Sequence, residues 1–274
     1  MRVVCAKLFL LAACTLWPLI AASETVPLWR LGAGIGGFST PHYLGAAQSH
    51  ERFLPTPFFE YNGEVFKADR NGVRASVYER GNFEIGFSGS GSLPLDSDDN
   101  DAREGMDDLD LVVEPGLAAQ FTLNRDATTL WRVDLPLRPA LTVSGDGIDH
   151  IGWTSFPRLY YAHSFSDWSI RASAGVLLGD SDYHDYFYTV RQRDVRADRS
   201  LYRAKGGITA TRLSLSVRRK IGDFYFAGLL NLYSLRNADN RDSPLFRENT
   251  NYALGFVVAR VFSESTTRVR RKID

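Results

Sequence analysis

The residues whose side chains could catalyse a reaction or bind a metal are five histidines and a dense run of acidic residues. None of the histidines lies in a nucleophile-elbow motif or at metal-ligand spacing from a cysteine or a second histidine. The adjacent pairs Asp149-His150 and His184-Asp185 are of a kind that loops produce by chance. We therefore predict neither an enzyme nor a cofactor from His42, His50, His150, His163 and His184.

The acidic run covers residues 96–110, and its oxygen atoms are the ligands that Ca²⁺ prefers. An EF-hand loop that began at Asp96 would need glycine at its sixth position and glutamate at its twelfth. The sequence has Asp101 and Asp107 at those positions. We therefore interpret the run as a solvated loop rather than a metal site. Its candidate interaction residues are Asp96, Asp98, Asp99 and Asp101.

A second long segment, residues 179–200, combines arginines with a group of aromatic residues. Structureless connections of this length are uncommon in compact domains. Two alternatives stay open: the segment folds inward and constricts the lumen, with its arginines facing the acidic loop or lipopolysaccharide phosphates, or it is a plain exposed loop. Its candidate interaction residues are Tyr186, Phe187, Arg191 and Arg193.

The overall charge excludes one large class of partner. Among 274 residues, 32 lysines and arginines balance 32 aspartates and glutamates, so the formal net charge is zero. A general nucleic-acid binder needs an excess of lysine and arginine to neutralise phosphates. We therefore expect no nucleic-acid partner.

The N-terminus has the pattern of a secretory signal peptide. Arg2 and Lys7 precede an apolar stretch from Leu8 to Ala22, which is short for a transmembrane helix. The stretch ends in small residues, Ala21-Ala22-Ser23, which are typical of a signal-peptidase site. We predict that residues 1–23 are a removed signal peptide and that residues 24–274 form one exported domain.

Both cysteines, Cys5 and Cys14, lie inside that signal segment. The mature chain is therefore expected to contain no disulfide. Leu11-Ala12-Ala13-Cys14 also resembles a lipoprotein cleavage site. Cleavage there would leave the apolar run 17–22 on the mature protein, so we favour the ordinary signal peptide.

Several long segments alternate apolar and polar residues, as strands with two different faces do. From Leu111 to Leu123 the odd positions are apolar, and the same pattern begins again at Trp131, Trp168 and Leu213. The segments run for roughly ten residues and repeat charges on the polar face, which favours membrane-spanning strands over a soluble sheet. The predicted lumen-facing residues are Arg30, Glu84, Glu114, Arg132, Asp134, Arg138, Arg171 and Arg212.

Short and long connections alternate between these strands, as they do in bacterial outer-membrane barrels. The long ones are predicted at residues 38–52, 92–108, 144–152, 179–200 and 234–249, and the tight connection 71–72 is an exception. Counting strands through them predicts an all-β fold: a transmembrane, antiparallel, up-and-down β-barrel of about twelve strands. The barrel is expected at about residues 29–262, followed by a basic tail at 263–274, and any pore is expected to be narrow.

A series of motifs resembles the MltA-interacting protein/OmpV family of outer-membrane proteins. The resemblance implies an outer-membrane barrel in contact with lipid and lipopolysaccharide, and it carries over no catalytic residues. In the family's named member it also implies a scaffold that joins a murein-degrading transglycosylase to a murein-synthesising penicillin-binding protein. The motifs are Leu31-Gly32-Ala33-Gly34, 41–45, 55–61, 105–110, Glu114-Pro115-Gly116, Tyr186-Phe187 with Val190, 242–245 and the closing strand to Phe262.

The sequence thus supports a main functional hypothesis and two alternatives. The main hypothesis is a scaffold or interaction protein for the murein-remodelling machinery, whose partners would be a murein hydrolase or synthase. The first alternative is a narrow channel or a porin-like protein for the uptake of small solutes. The second is an adhesin, a role described for other members of the family that the sequence resembles.

Overall fold

The computed structural model describes residues 25–63, 66–69 and 72–270. It contains one helix, α1 (Ser181–Tyr188), and two single-turn 3₁₀ helices at Ser97–Asp99 and Gln192–Asp194. The predicted signal peptide, 1–23, and the last part of the predicted tail, 271–274, lie outside the described residues. The strands are β1 (Thr25–Pro27), β2 (Trp29–Pro41), β3 (Ser49–Asn62), β4 (Phe66–Asp69), β5 (Gly72–Arg80), β6 (Phe83–Ser92), β7 (Leu111–Arg125), β8 (Thr129–Ser144), β9 (Gly147–Ser155), β10 (Arg158–Phe165), β11 (Trp168–Gly179), β12 (Gly207–Ile221), β13 (Phe224–Ser234), β14 (Thr250–Glu264) and β15 (Arg268–Arg270).

Within the described ranges, no helix combines the length and the apolar character that are needed to cross a membrane.

Thirteen strands form one antiparallel sheet whose order of pairing returns to its starting strand. From β2 the pairings run through β3 to β8, continue through β10 to β14, and come back to β2. Strands β9 and β10 both lie between β8 and β11, so they share one position in the ring. The described sheet therefore has twelve positions, which confirms the predicted all-β, up-and-down architecture.

The shared position is a single long strand that is interrupted at Phe156-Pro157. Proline has no N–H to donate, so it breaks the ladder of hydrogen bonds at this point. The same region corrects one predicted connection. Residues 144–152 were expected to form a long loop, but β8 and β9 are joined by a two-residue turn, because Ser144 pairs directly with Gly147.

Connections at the two ends of the sheet differ in length, and we call these ends the turn end and the loop end. At the turn end, two-residue turns join β5 to β6, β10 to β11 and β12 to β13. Their first residues, Gly81, Ser166 and Gly222, have positive φ angles of 60°, 49° and 55°. Positive φ at this position belongs to the turn types whose twist matches that of paired strands. Most connections at the loop end are long.

Strand β8 shows how the two faces of the wall differ, since its apolar face is exposed and its polar face is buried. On β8, Leu135 and Leu137 are exposed, whereas Arg132, Asp134 and Arg138 are buried. Since side chains alternate along a strand, the buried set points into the space that the ring encloses. The wall therefore has the apolar-out, polar-in pattern of a transmembrane barrel.

The outward face is unusually apolar for a protein surface. Phe53, Ile35 and Leu137 are 79%, 64% and 59% exposed, and many other large apolar residues around the ring are also exposed. Soluble monomers rarely expose contiguous apolar patches larger than a few hundred Å². A band of this kind is stable where it faces lipid.

The two ends of the described chain meet at the turn end. Strand β1 pairs with β15 in a small sheet of its own, with Val26 opposite Val269. Strand β14 continues past Phe262 to Glu264, two residues beyond the predicted end of the barrel. The residues after Phe262 therefore include the end of a wall strand and a short strand that is paired with the N-terminal segment.

Candidate functional site: a capped interior lined by arginines

Four long connections at the loop end fold together into one structure, which we call the cap. It comprises residues 42–48, 93–110, 180–206 and 235–249. The largest buried apolar cluster among the described residues lies mainly in the cap rather than in the wall. Its buried members from the cap are Tyr43, Ala46, Leu95, Ala102, Leu109, Phe187, Tyr188, Val190, Ala204 and Leu245.

Buried side chains tie the connections of the cap to one another. The hydroxyl of Tyr43 donates to the carbonyl of Leu245 at 2.8 Å, and that of Tyr188 donates to the carbonyl of Leu44 at 3.0 Å. Ser243 donates to the carbonyl of Tyr188 at 2.7 Å. Burial raises the pKa of Tyr188 far above its usual value, so this phenol stays a donor. Three of the four connections are therefore locked together.

Two buried arginines, Arg103 and Arg199, join the acidic segment of the cap, 93–110, to its arginine-rich segment, 180–206. Arg103 donates to the carbonyls of Phe187 at 3.1 Å and Asp107 at 2.9 Å. Arg199 donates to the carbonyls of Ala102 at 3.0 Å and Asp194 at 2.7 Å. These hydrogen bonds help to satisfy backbone carbonyls in the interior of the cap.

Exposed ion pairs join the same two segments at the surface of the cap. Arg193 pairs with Asp107, and Arg196 pairs with Glu104 at 3.1 Å. Of the two alternatives for residues 179–200, the structure shows the inward-folded one, with arginines facing the acidic loop. Exposed pairs of this kind contribute only about 0–1 kcal/mol each, so the buried contacts hold the cap together.

Several predicted interaction residues have partners inside the cap. Asp96 accepts from the N–H of Asp98, and Asp98 accepts from the N–H of Gly105. Asp101 accepts from Gln48, whose amide also contacts the carbonyl of Asp99. The acidic side chains therefore shape their own loop, and their exposed oxygens remain at the surface.

The aromatic and basic predicted residues divide between the core and the surface of the cap. Tyr186 accepts from the N–H of Asp110 at 2.7 Å. Phe187, also a predicted interaction residue, is 5% exposed and lies in the apolar core of the cap. Arg191 pairs with Asp185 within its own connection at 3.1 Å.

His184, on α1, has a structural role that the sequence did not reveal. It is fully buried, with Nδ1 2.5 Å from the carbonyl of Lys205 and Nε2 2.7 Å from the hydroxyl of Thr209. Asn240 lies 2.9 Å from the same Nδ1. Burial lowers the pKa of His184, so the ring is neutral and joins α1 to the start of β12.

Below the cap, Glu114 connects the wall to α1. Its Oε2 accepts from Thr154 at 2.9 Å and lies 3.4 Å from Nη1 of Arg138. Its Oε1 lies 3.5 Å from the hydroxyl of Tyr183. Arg138 also donates to Ser88 on β6 at 2.9 Å. These contacts join β6, β7, β8 and β9 across the interior.

Asp134 is the centre of a second polar cluster. It is completely buried and accepts from Nε of Arg132 at 2.6 Å and from Arg158 at 2.9 Å. Arg132 and Asp134 were predicted from alternation, but Arg158 was missed because Pro157 breaks the strand pattern just before it. Tyr160, two residues further on, continues the same face, and its ring lies 4.7 Å from the guanidinium carbon of Arg132.

The other predicted lumen residues lie at different depths. Arg30 is near the turn end and pairs with Glu60 at 3.1 Å and with Glu264 at 3.4 Å. Glu84 is half-buried on β6. Arg171 is buried on β11, and Arg212 lies on β12.

Two of the cavities among the described residues lie next to the clusters around Glu114 and Asp134. The upper cavity, of about 200 Å³, lies between the cap residues Tyr183 and Phe187 and the wall residues Glu114 and Arg138. The lower cavity, of about 320 Å³, is lined by Arg132, Arg138, Arg158, Arg171 and Arg212. Within the described part of the chain, no group of three or more histidine, cysteine or acidic residues could hold a metal ion.

The family model for MltA-interacting protein MipA matches residues 33–262, which include every strand from β3 to β13. The chain belongs to the MipA family. This result confirms the resemblance on which the sequence analysis relied. It also places the cap and both interior clusters inside the region that the family shares.

Two relatives have printed names that agree with a location in the outer membrane. Outer membrane protein Omp26La of Vibrio anguillarum is 22% identical over 206 residues, which cover 73% of this chain and 75% of the relative. Outer membrane protein OmpV of Vibrio cholerae serotype O1 is 23% identical over the same length and the same shares. This MipA-family protein is an outer-membrane protein.

Among solved structures, a bacterial polysaccharide outer membrane secretin is similar over 85% of this chain and 99% of its own length. The sequence identity is 10%, and the TM-score is 0.41.

Proposed function

We propose that this MipA-family protein is a closed outer-membrane barrel that acts as a scaffold or interaction protein, not as an enzyme or an open pore. The observation that carries the proposal is the cap, whose apolar core closes the loop end. Tyr188 and Leu245, at the centre of that core, are 2% and 0% exposed. A side-chain-filled mouth with interior ion pairs suits a structural role better than free diffusion.

The proposed partners are enzymes that degrade or synthesise murein. The family description names MltA as the partner of the protein that gave the family its name. Bacterial barrels place their short turns in the periplasm, so the turn end would face murein. There, β1 and β15 form a small sheet, and Arg268 carries an exposed charge that pairs with Glu264.

A narrow channel is the weaker alternative, since the cap and the interior ion pairs both obstruct the lumen. An adhesin role would use the exposed surface of the cap, where Asp99 and Arg193 are accessible. No observation supports either alternative as strongly as the closed apolar core of the cap supports the scaffold role. Both predict behaviour that differs from that of a murein scaffold.

The proposal is tested by affinity purification of the tagged full-length protein from detergent-solubilised envelopes. We expect murein transglycosylase and penicillin-binding protein to be recovered, and an Arg268→Glu variant to recover less. An Arg193→Glu variant, altered at the loop end, serves as the matched control and should recover both enzymes fully. Recovery of neither enzyme by the folded wild-type protein would overturn the scaffold role.

A further inference from the structure

We propose that the lower cavity is a binding site for a small oxyanion, a ligand with a phosphate or carboxylate group. The inference does not depend on the scaffold role. It rests on which side chains reach the cavity, on how their charges are balanced and on the size of the space.

The first observation is the composition of the cavity wall. Five arginines line it, from β8, β10, β11 and β12, and no carboxylate among the described residues does so. Ser88, Ser173, Ser214 and Ser216 also line the cavity. Guanidinium groups bind phosphate and carboxylate oxygens through paired N–H donors, and hydroxyls supply additional donors. The wall therefore offers donors of the kind that an oxyanion needs.

The second observation is where the nearby carboxylates lie. Asp134 is completely buried behind Arg132 and Arg158, and it contacts both. Glu114 lines the upper cavity, where it contacts Arg138. The two carboxylates thus engage three of the five arginines from behind or from above. The space between the arginines stays open to an anion.

Arg212 gives the third observation, because its hydrogen bonds go to neutral groups. Its Nε donates to the hydroxyl of Ser214 at 2.9 Å, and its Nη2 donates to the amide oxygen of Asn231 at 2.9 Å. Its guanidinium carbon also lies 5.1 Å from the ring centre of Phe156. Among the described residues, no carboxylate lies within ion-pair distance of it. A partly buried cation in this setting is stabilised by a bound anion.

The size of the cavity limits the ligand. Its volume of about 320 Å³ is at the lower end of the range for small-molecule sites, roughly 300–1,000 Å³. Inorganic phosphate or a short phosphorylated or carboxylated solute fits this space, whereas a polymer does not. The ligand class is therefore a small solute with one or two anionic groups.

The test uses the full mature chain refolded in detergent micelles, with inorganic phosphate as the probe. Refolding in the presence of phosphate gives the anion access to the cavity whatever the state of the cap. We expect phosphate to raise the thermal unfolding midpoint more than sodium chloride at the same ionic strength. The shift of this midpoint with phosphate concentration then gives the affinity of the wild type and of each variant.

Arg212→Gln and Arg171→Gln should each weaken phosphate binding at least tenfold, because each removes a charge-assisted contact. Arg52→Gln is the matched control, since Arg52 is exposed on β3 and should bind phosphate like the wild type. If Arg212→Gln does not fold, Arg212→Lys keeps the charge but loses the planar fork, and it should show a smaller loss. Equal effects of phosphate and chloride, or unchanged binding in both cavity variants, would overturn the proposal.

Discussion

The hydroxyl of Tyr183 lies 3.5 Å from Oε1 of Glu114, so the helix of the cap touches a buried carboxylate of the wall. Burial, followed by the nearby carboxylate, raises the pKa of Tyr183 well above its usual value. The phenol therefore remains protonated and can donate to Glu114. Glu114 also contacts Arg138 and Thr154, so the position of α1 depends on the same cluster that joins the wall strands.

Replacing Tyr183 with phenylalanine should loosen the cap without unfolding the wall. The contact is long for a hydrogen bond, so we expect the cap to lose stability near the lower end of the usual range, about 0.5–1.5 kcal/mol. Limited trypsin digestion would detect it as faster cleavage after Arg191 and Arg193. Tyr252→Phe is the matched control, because Tyr252 is 57% exposed on β14. Identical cleavage rates for the two variants would show that the Tyr183 contact does not hold the cap.

Asp134→Asn should destabilise the barrel strongly. The substitution leaves the buried Arg132 facing a neutral amide and also removes the carboxylate from Arg158. Breaking a buried ion pair on one side typically costs about 3–5 kcal/mol. Glu104→Gln, which breaks an exposed pair with Arg196, should cost about 0–1 kcal/mol. Urea unfolding in detergent, followed by tryptophan fluorescence, measures both; equal costs would contradict the arrangement around Asp134.

The cap should weaken as the pH falls, because His184 is buried in its neutral form. Its folded-state pKa is lowered from 6.5, so the unfolded chain takes up a proton more readily. The stabilisation of the cap by neutral His184 is therefore complete above about pH 6.5 and declines below it. Trypsin digestion at pH 7.5 and pH 5.5, corrected for the activity of the protease, should show this loss. His150→Gln, at an exposed site, should keep the full pH dependence, whereas His184→Gln should reduce it.

The orientation of the barrel can be tested with single cysteines, since both natural cysteines lie in the predicted signal peptide. The two variants are Asp99→Cys and Ala127→Cys. Asp99 is exposed in the cap, and Ala127 is exposed in the turn between β7 and β8. Asp126 is unsuitable because its side chain accepts from the N–H groups of Thr128 and Thr129. An impermeant reagent on intact cells should label Asp99→Cys alone. Labelling of Ala127→Cys alone would show the opposite orientation, with the turn end outside the cell.

The wall could be predicted from the sequence because its two faces have different chemistry. Leu135 and Leu137 face outward and Asp134 and Arg138 face inward, so alternation along β8 is visible in the residue types. The alternation of short and long connections was visible too, and the two-residue turn at Gly222-Asp223 is one of the short ones. Alternation stops being informative where the strand is interrupted. For this reason Arg158, which follows Pro157, was not recognised as a partner of Asp134.

The cap could not be predicted in the same way, because its contacts join distant parts of the chain without a period. Tyr43 donates to Leu245, which lies 202 residues further along. The aromatic residues of α1 suggested that residues 179–200 could fold inward, but nothing in the sequence indicated which carbonyls Arg103 and Arg199 would reach. Oppositely charged loops indicated a possible contact. The buried core that results required the structure.

Single-channel recording in planar bilayers tests most directly the central claim that the cap closes the barrel. We predict that the full-length wild-type protein leaves the membrane at its baseline conductance. A variant in which a short glycine-serine linker replaces residues 181–205, shown to be folded by heat-modifiable gel mobility, should produce discrete conductance steps. Steady wild-type steps as large as those of the variant would contradict the closed barrel and favour a channel.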